Sequence, residues 1–163
     1  MRVEKTEDYS HSKCMAVVDL RTELQAPAQA IWSAVKTPAA FRTVTRGLLV
    51  MPAIQARGDA WREGETVVGW VFLFGFIPFS RHTLHIAVID DAARRLSSEE
   101  SGGLLRTWNH DIVVTPIGEG RCVYRDHVEL DAGIFTPIVA LYAHWFYRTR
   151  QRRWRALAKE LSS

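Results

Sequence analysis

From residue 66 to residue 131 the chain reads as one strand after another, joined by turn signals, and a single long amphipathic helix follows. Residues 66–74 and 79–89 flank a GFIP turn at Gly75, Phe76, Ile77 and Pro78. Asp90 and Asp91 turn the chain into residues 95–100, and Gly102 and Gly103 turn it again. Residues 104–115 and 121–131 form two longer strands connected through PIGEG, a hairpin signal. Thr136 and Pro137 read as the N-cap and first position of a helix that runs to about Leu161. Hairpin-linked strands pair antiparallel, and an amphipathic helix has to bury its apolar stripe against another layer. A curved antiparallel sheet wrapped around the terminal helix satisfies both demands.

The front of the chain fits the same scheme. Ala16, Val18, Leu20, Thr22 and Leu24 alternate with Val17, Asp19, Arg21, Glu23 and Gln25, the pattern of a half-buried strand. APAQAIWSAV then begins a helix with Pro27 near its first position, and PAAFRTV from Pro38 makes a second short one. Residues 48–54 read as a further strand. The expected class is α+β, with two short helices after the first strand and no internal repeat. The 163 residues suit one domain over 15–163, preceded by a flexible segment over 1–14.

Hydrophobic residues at 47% and charged ones at 24% exclude a disordered tail, a collagen-like rod and a coiled coil. The longest apolar run, residues 67–79, spans thirteen residues interrupted by Gly69, Gly75 and Pro78. That is short of the roughly 20 a membrane helix needs, though such a hairpin could pair two copies, so monomer and homodimer both stay open. The first residues lack the apolar core of a signal peptide, which makes the cytoplasm the expected location. Cys14 and Cys122 are too few for a disulfide framework and lack metal-ligand spacing. His82 and His85, three apart on a strand, fall on opposite faces. Neither a nucleophile elbow nor a phosphate-binding or dinucleotide-binding glycine motif occurs, so no cofactor and no metal are expected.

The net charge of +3 is unevenly placed. Residues 148–159 hold six cations and no acid, leaving the rest of the chain net acidic. Arg148, Arg152, Arg155 and Lys159 recur at helical spacing, opposite Ile138, Tyr142, Phe146 and Leu157. A solvated basic face accounts for this stripe, without a strong nucleic-acid signal; contact with a membrane surface through Arg148 to Lys159 is the other reading. Arg153 stands apart, because its angle falls among the apolar residues.

Four segments carry a family likeness: APAQAIW from Ala26, LRTWNHDIVV from Leu105, RDHVELDAG from Arg125 and HWFYRTRQRRW from His144. In their order and spacing the chain resembles the START-like (SRPBCC) superfamily, which includes polyketide cyclase/dehydrase-type proteins. The resemblance spans nearly all of residues 17–161. It implies a helix-grip fold and a cavity between sheet and terminal helix that holds a small hydrophobic molecule. It does not imply one chemistry, since members bind lipids, aid folding or cyclise polyketides.

Strand alternation nominates the cavity wall. Trp108, His110, Ile112 and Val114 share one face, and Cys122, Tyr124, Asp126, Val128 and Leu130 share another. Trp108, His110, Tyr124 and Asp126 should therefore point into the grip, with Trp70, Phe72, Tyr142 and Phe146 as further ligand contacts. His110 beside Asp126 could act as a general base, with Tyr124 as partner. The structural alternative is a satisfied pair, or an ion pair of Asp126 with Arg153 across the helix–sheet seam. The leading expectation is non-covalent binding or transport of a lipid, isoprenoid or polyketide-like molecule. An aromatase/cyclase-like enzyme using His110, Tyr124 and Asp126 is the rival.

Overall fold

A computed structural model describes residues 15–162, so the expectations for residues 1–14, Cys14 among them, lie outside the described residues. Strand β1 (Ala16–Leu24) is followed by helices α1 (Ala28–Val35) and α2 (Pro38–Thr45). Then come β2 (Leu49–Val50), the single-turn α3 (Pro52–Gln55), and five strands. These are β3 (Thr66–Leu73), β4 (Ile77–Asp90), β5 (Arg95–Gly102), β6 (Leu105–Pro116) and β7 (Cys122–Asp131). A short 3-10 turn, Gly133–Phe135, leads into α4 (Thr136–Glu160). One antiparallel sheet contains all seven strands in the order β1-β7-β6-β5-β4-β3-β2. It curls around α4, the α+β helix-grip architecture.

Local chemistry explains the short helices. Pro27 precedes α1, and its carbonyl accepts from Ala30 and Ile31. Thr37 caps α2, its hydroxyl accepting from the Ala40 amide at 3.2 Å, with Pro38 as the first helical residue. The indole of Trp32 on α1 donates to Asp91 in the β4–β5 turn at 2.7 Å, tying the helix to the end of that hairpin. Register shifts in β3, β4 and β5 mark bulges, which bend strands and add the curl that a flat sheet would lack.

Three expectations need correction. Residues 48–54 are a two-residue strand and then a helical turn, because Pro52 opens α3 where a strand would need an amide donor. The β3–β4 turn is Phe74 to Phe76, one residue earlier than the GFIP reading, with Gly75 at φ +86°. Thr136 does not cap α4 in the usual way. Its hydroxyl donates to the Gly133 carbonyl at 2.7 Å and accepts from Ala132, holding the chain reversal instead.

Two packed clusters support the grip. One joins Trp32, Val44, Tyr124 and Trp154 beneath α1 and α2, and the other joins Val18, Trp108, Val128, Phe146 and Tyr147. The second helix face of α4, with Arg148, Arg152, Arg155 and Lys159, is exposed.

Candidate functional site

A cavity of about 460 Å³ lies between the concave sheet face and α4. Apolar side chains such as Leu84, Ile86, Leu96, Ile112 and Phe146 form most of its wall. Its size and lining are those of small-molecule sites, with a few convergent polar groups. Those groups are arranged as a strip across the floor and a ridge along the helix.

The strip begins on β4, where His82 Nε2 lies 2.9 Å from Glu100 Oε2 of β5. Ser98 Oγ donates to Glu100 Oε1 at 3.0 Å, and Ser98 pairs in register with His110 of β6. His110 Nε2 lies 2.9 Å from Asp126 Oδ1 of β7. Tyr124 Oη donates to the same oxygen at 3.0 Å, and Gln151 of α4 donates to Oδ2 at 3.2 Å. Asp126 is fully buried and accepts three donors, so the carboxylate form is well served.

Charge and burial oppose one another here. Burial pushes the Asp126 carboxyl up, but the Arg150 guanidinium, the His110 contact and Gln151 outweigh it and hold the group below its ordinary value. Burial likewise raises Glu100, and His82, His110 and Ser98 together bring it below its usual range. Burial pushes Tyr142 up to about 12 and lifts Tyr147 and Tyr124 well above the ordinary phenol value. Cys122 is buried and raised to about 11 by desolvation, which suits a packing residue and not a nucleophile.

On α4 the cavity-facing ridge is Tyr142, Phe146, Arg150 and Trp154, four residues apart at each step. Tyr147 stands beside it, its ring centroid 4.8 Å from that of His110. Ile138 also lines the cavity and is 66% exposed, so the cavity reaches the surface there. Phe74 from the β3–β4 turn and Trp145 meet beside this mouth, with ring centroids 6.4 Å apart.

Of the residues nominated from sequence, Trp108, His110, Tyr142 and Phe146 line the cavity. Tyr124 and Asp126 point inward but sit behind His110, in the seam between β7 and α4, and do not reach the cavity. Trp70 and Phe72 do not line it. On β3 the inward parity belongs to Val71 and Leu73, and Trp70 is 54% exposed on the other face. The expected Asp126–Arg153 pair is not formed. Arg153 donates to the carbonyls of Val44 and Arg46 at 3.1 and 2.6 Å, anchoring α2, while Gln151 and Arg150 face Asp126. The buried face of α4 is therefore rotated from the expected one, through Ala143, Tyr147, Arg150, Gln151, Trp154 and Ala158.

His82, Glu100, Tyr147 and Arg150 were missed. Strict alternation through Ser80, His82, Leu84 and Ile86, all buried, was the signal for the first. Phe146 and Trp154, one turn to either side, were the signal for Arg150. Among the described residues no group of three or more His, Cys, Asp or Glu side chains could hold a metal ion, and no helix is long and apolar enough to cross a membrane.

Solved structures share this architecture. Norcoclaurine synthase from Thalictrum flavum, in complex with dopamine and hydroxybenzaldehyde, matches with a TM-score of 0.68 at 19% identity, covering 93% of this chain and 91% of that one. A START superfamily protein from Mycobacterium smegmatis gives 0.67 at 10% identity, covering 89% and 98%. The Zhui aromatase/cyclase from Streptomyces sp. R1128 gives 0.66 at 14% identity, covering 89% and 94%. At these identities the likeness is one of fold. No curated protein matches in sequence. Residues 22–158 match the family described as Domain of unknown function (DUF8410).

Proposed function

The chain belongs to the DUF8410 family and has a START-like helix-grip fold, and we propose that it binds a small, largely apolar molecule non-covalently in its cavity. The observation that carries this reading is the cavity of about 460 Å³ walled mainly by apolar side chains and open beside Ile138. Apolar area removed from water supplies the affinity, and a few polar groups orient the guest. Lipid, isoprenoid and polyketide-like bodies all fit that description. Native mass spectrometry of freshly purified protein, followed by organic extraction, tests it. A stoichiometric apolar molecule that disappears in the cavity-filled variant Leu84→Trp supports the reading. An empty protein that also fails to take up a hydrophobic fluorescent probe overturns it.

The second reading is an enzyme of the cyclase type, and the His110–Asp126 contact favours it. An ionised Asp126 can only accept, so His110 Nε2 carries the proton in that contact. In the neutral ring Nδ1 is then bare, without a protein hydrogen bond among the described residues, on a side chain that lines the cavity. Such a nitrogen could take a proton from a bound carbon acid or phenol, with Asp126 holding the tautomer. Replacing His110 by Gln separates the two readings: turnover lost with affinity kept favours the enzyme, and equal loss of both favours the binder.

A further inference from the structure

Arg150 is 4% exposed, lines the cavity, and makes no hydrogen bond or ion pair with any described residue. Its Nε is buried without a partner. The guanidinium carbon instead lies 5.0 Å from the ring centroid of Tyr147 and 5.9 Å from that of Phe146, contacts that hold the group in place without using its N–H donors. The two carboxylates nearby, buried Asp126 and half-buried Glu100, are already engaged, Glu100 by His82 and Ser98 and Asp126 by His110, Tyr124 and Gln151. Burial works against the Arg150 charge, and the fields of Tyr124, Asp126, Tyr147 and Glu100 outweigh it and keep the group protonated. Charge is thus compensated from a distance while five donors are left idle. Buried donors without acceptors are costly, and a guanidinium fork matches the two oxygens of a carboxylate.

Two more orphaned donors lie on the same ridge. Trp154 Nε1 and Tyr142 Oη are buried without partners, one turn deeper than Arg150 and two turns nearer the mouth. Ser80 Oγ, Arg94 Nε and His127 Nδ1 are also buried without partners, but among the described residues only these three unpartnered groups share one helix face, and all three residues line the one cavity.

Resting on the binding reading above, we infer that the ligand is an apolar acid whose carboxylate docks on the Arg150 guanidinium, with its hydrocarbon or aromatic body along the Leu84, Ile86 and Ile112 wall. Arg150 would then select the class of guest, and His110 and His82 would border its head group.

Matched probes on the intact protein test this. Dodecanoate is compared with its methyl ester, and naphthoate with its methyl ester, by quenching of the cavity-lining Trp61, Trp108 and Trp154. Wild type should prefer each acid over its ester by about tenfold or more, the scale of a charge-assisted pair. Arg150→Met should bring that ratio near one while the ester still binds, and Arg150→Lys should restore only part of it. Should Arg150→Met fail to fold, the acid-to-ester ratio in wild type decides alone. Equal affinity for acid and ester in wild type overturns the head-group assignment, leaves the cavity as a binding site and means that water serves Arg150. Binding of none of the four probes overturns the assignment together with the binding reading.

Discussion

The indole N–H of Trp108 on β6 donates to the phenol oxygen of Tyr147 on α4 at 3.1 Å, joining the floor of the cavity to its roof. The rings lie 6.1 Å apart, and Tyr147 also covers His110, so one helix residue positions two wall residues. Both members are buried, with Tyr147 2% exposed.

Tyr147→Phe should cost about 1–3 kcal/mol, the penalty of a buried donor left without its acceptor. Urea unfolding followed by far-UV circular dichroism reads it directly. The Trp108→Phe/Tyr147→Phe pair should then lose less than the two single changes combined, because the orphaned N–H is gone. A Tyr147→Phe cost of only a few tenths would mean that the bond contributes nothing to the seam.

Stability should depend on acid through Asp126. Its native carboxyl sits below the ordinary value, so below about pH 4 the unfolded chain takes up the proton first. The contribution is then complete above about pH 5, and is lost as pH falls through the native value. Asp126→Asn should be several kcal/mol less stable than wild type at pH 7, since it unpairs buried groups. The gap between the two should narrow as pH drops toward 3. A gap constant from pH 7 to 3 would show that the carboxylate is not held ionised by its partners.

These contacts also mark how far the sequence could be read. Alternation placed Trp108, His110, Ile112, Tyr124 and Asp126 on the inward faces, because β6 and β7 present one solvated face each. The same rule had nothing to grip in residues 67–79, where both faces are apolar, and large Trp70 and Phe72 drew attention from Val71 and Leu73. On the terminal helix, charge alone grouped Arg150 with the exposed Arg148 and Arg152. A guanidinium on an apolar ridge was attributed to Arg153, three residues along, whose acceptors turned out to be backbone carbonyls that no side-chain pattern reveals. The hydrogen bonds of Asp126 to Gln151 and of Trp108 to Tyr147 depend on how α4 is rotated in the grip, a tertiary quantity.

Filling the cavity should be inexpensive where filling the core is not. Leu84 faces open volume, so Leu84→Trp should change stability by less than about 1.5 kcal/mol while abolishing ligand uptake. Leu130 is fully buried in the cluster under the first half of α4 and does not line the cavity. Leu130→Ala should cost about 2–5 kcal/mol. Thermal or urea unfolding of both variants gives the comparison. If Leu84→Trp proves as damaging as Leu130→Ala, the space is not available in solution.

Gly102 packs against the backbone of β4 at Arg81 and His82, where the polar strip begins. It lies at the end of β5 where the pairing with β6 is bulged, with φ +150°, and a Cβ there would meet the Arg81 carbonyl oxygen at 2.3 Å and the His82 Cα at 2.9 Å. Both obstacles are backbone of β4, so neither can step aside without moving His82 off Glu100. Gly118 in the β6–β7 turn also has positive φ, at +122°, but nothing within 4 Å of its missing Cβ. Gly118→Ala therefore measures backbone strain alone, about 1–2 kcal/mol. Gly102→Ala adds a collision to the same strain and should cost at least about 3 kcal/mol, with weakened ligand binding because the strip is disturbed. Equal penalties for the two variants would show that β5 can draw away from β4 freely, and that the close strand approach does not position His82.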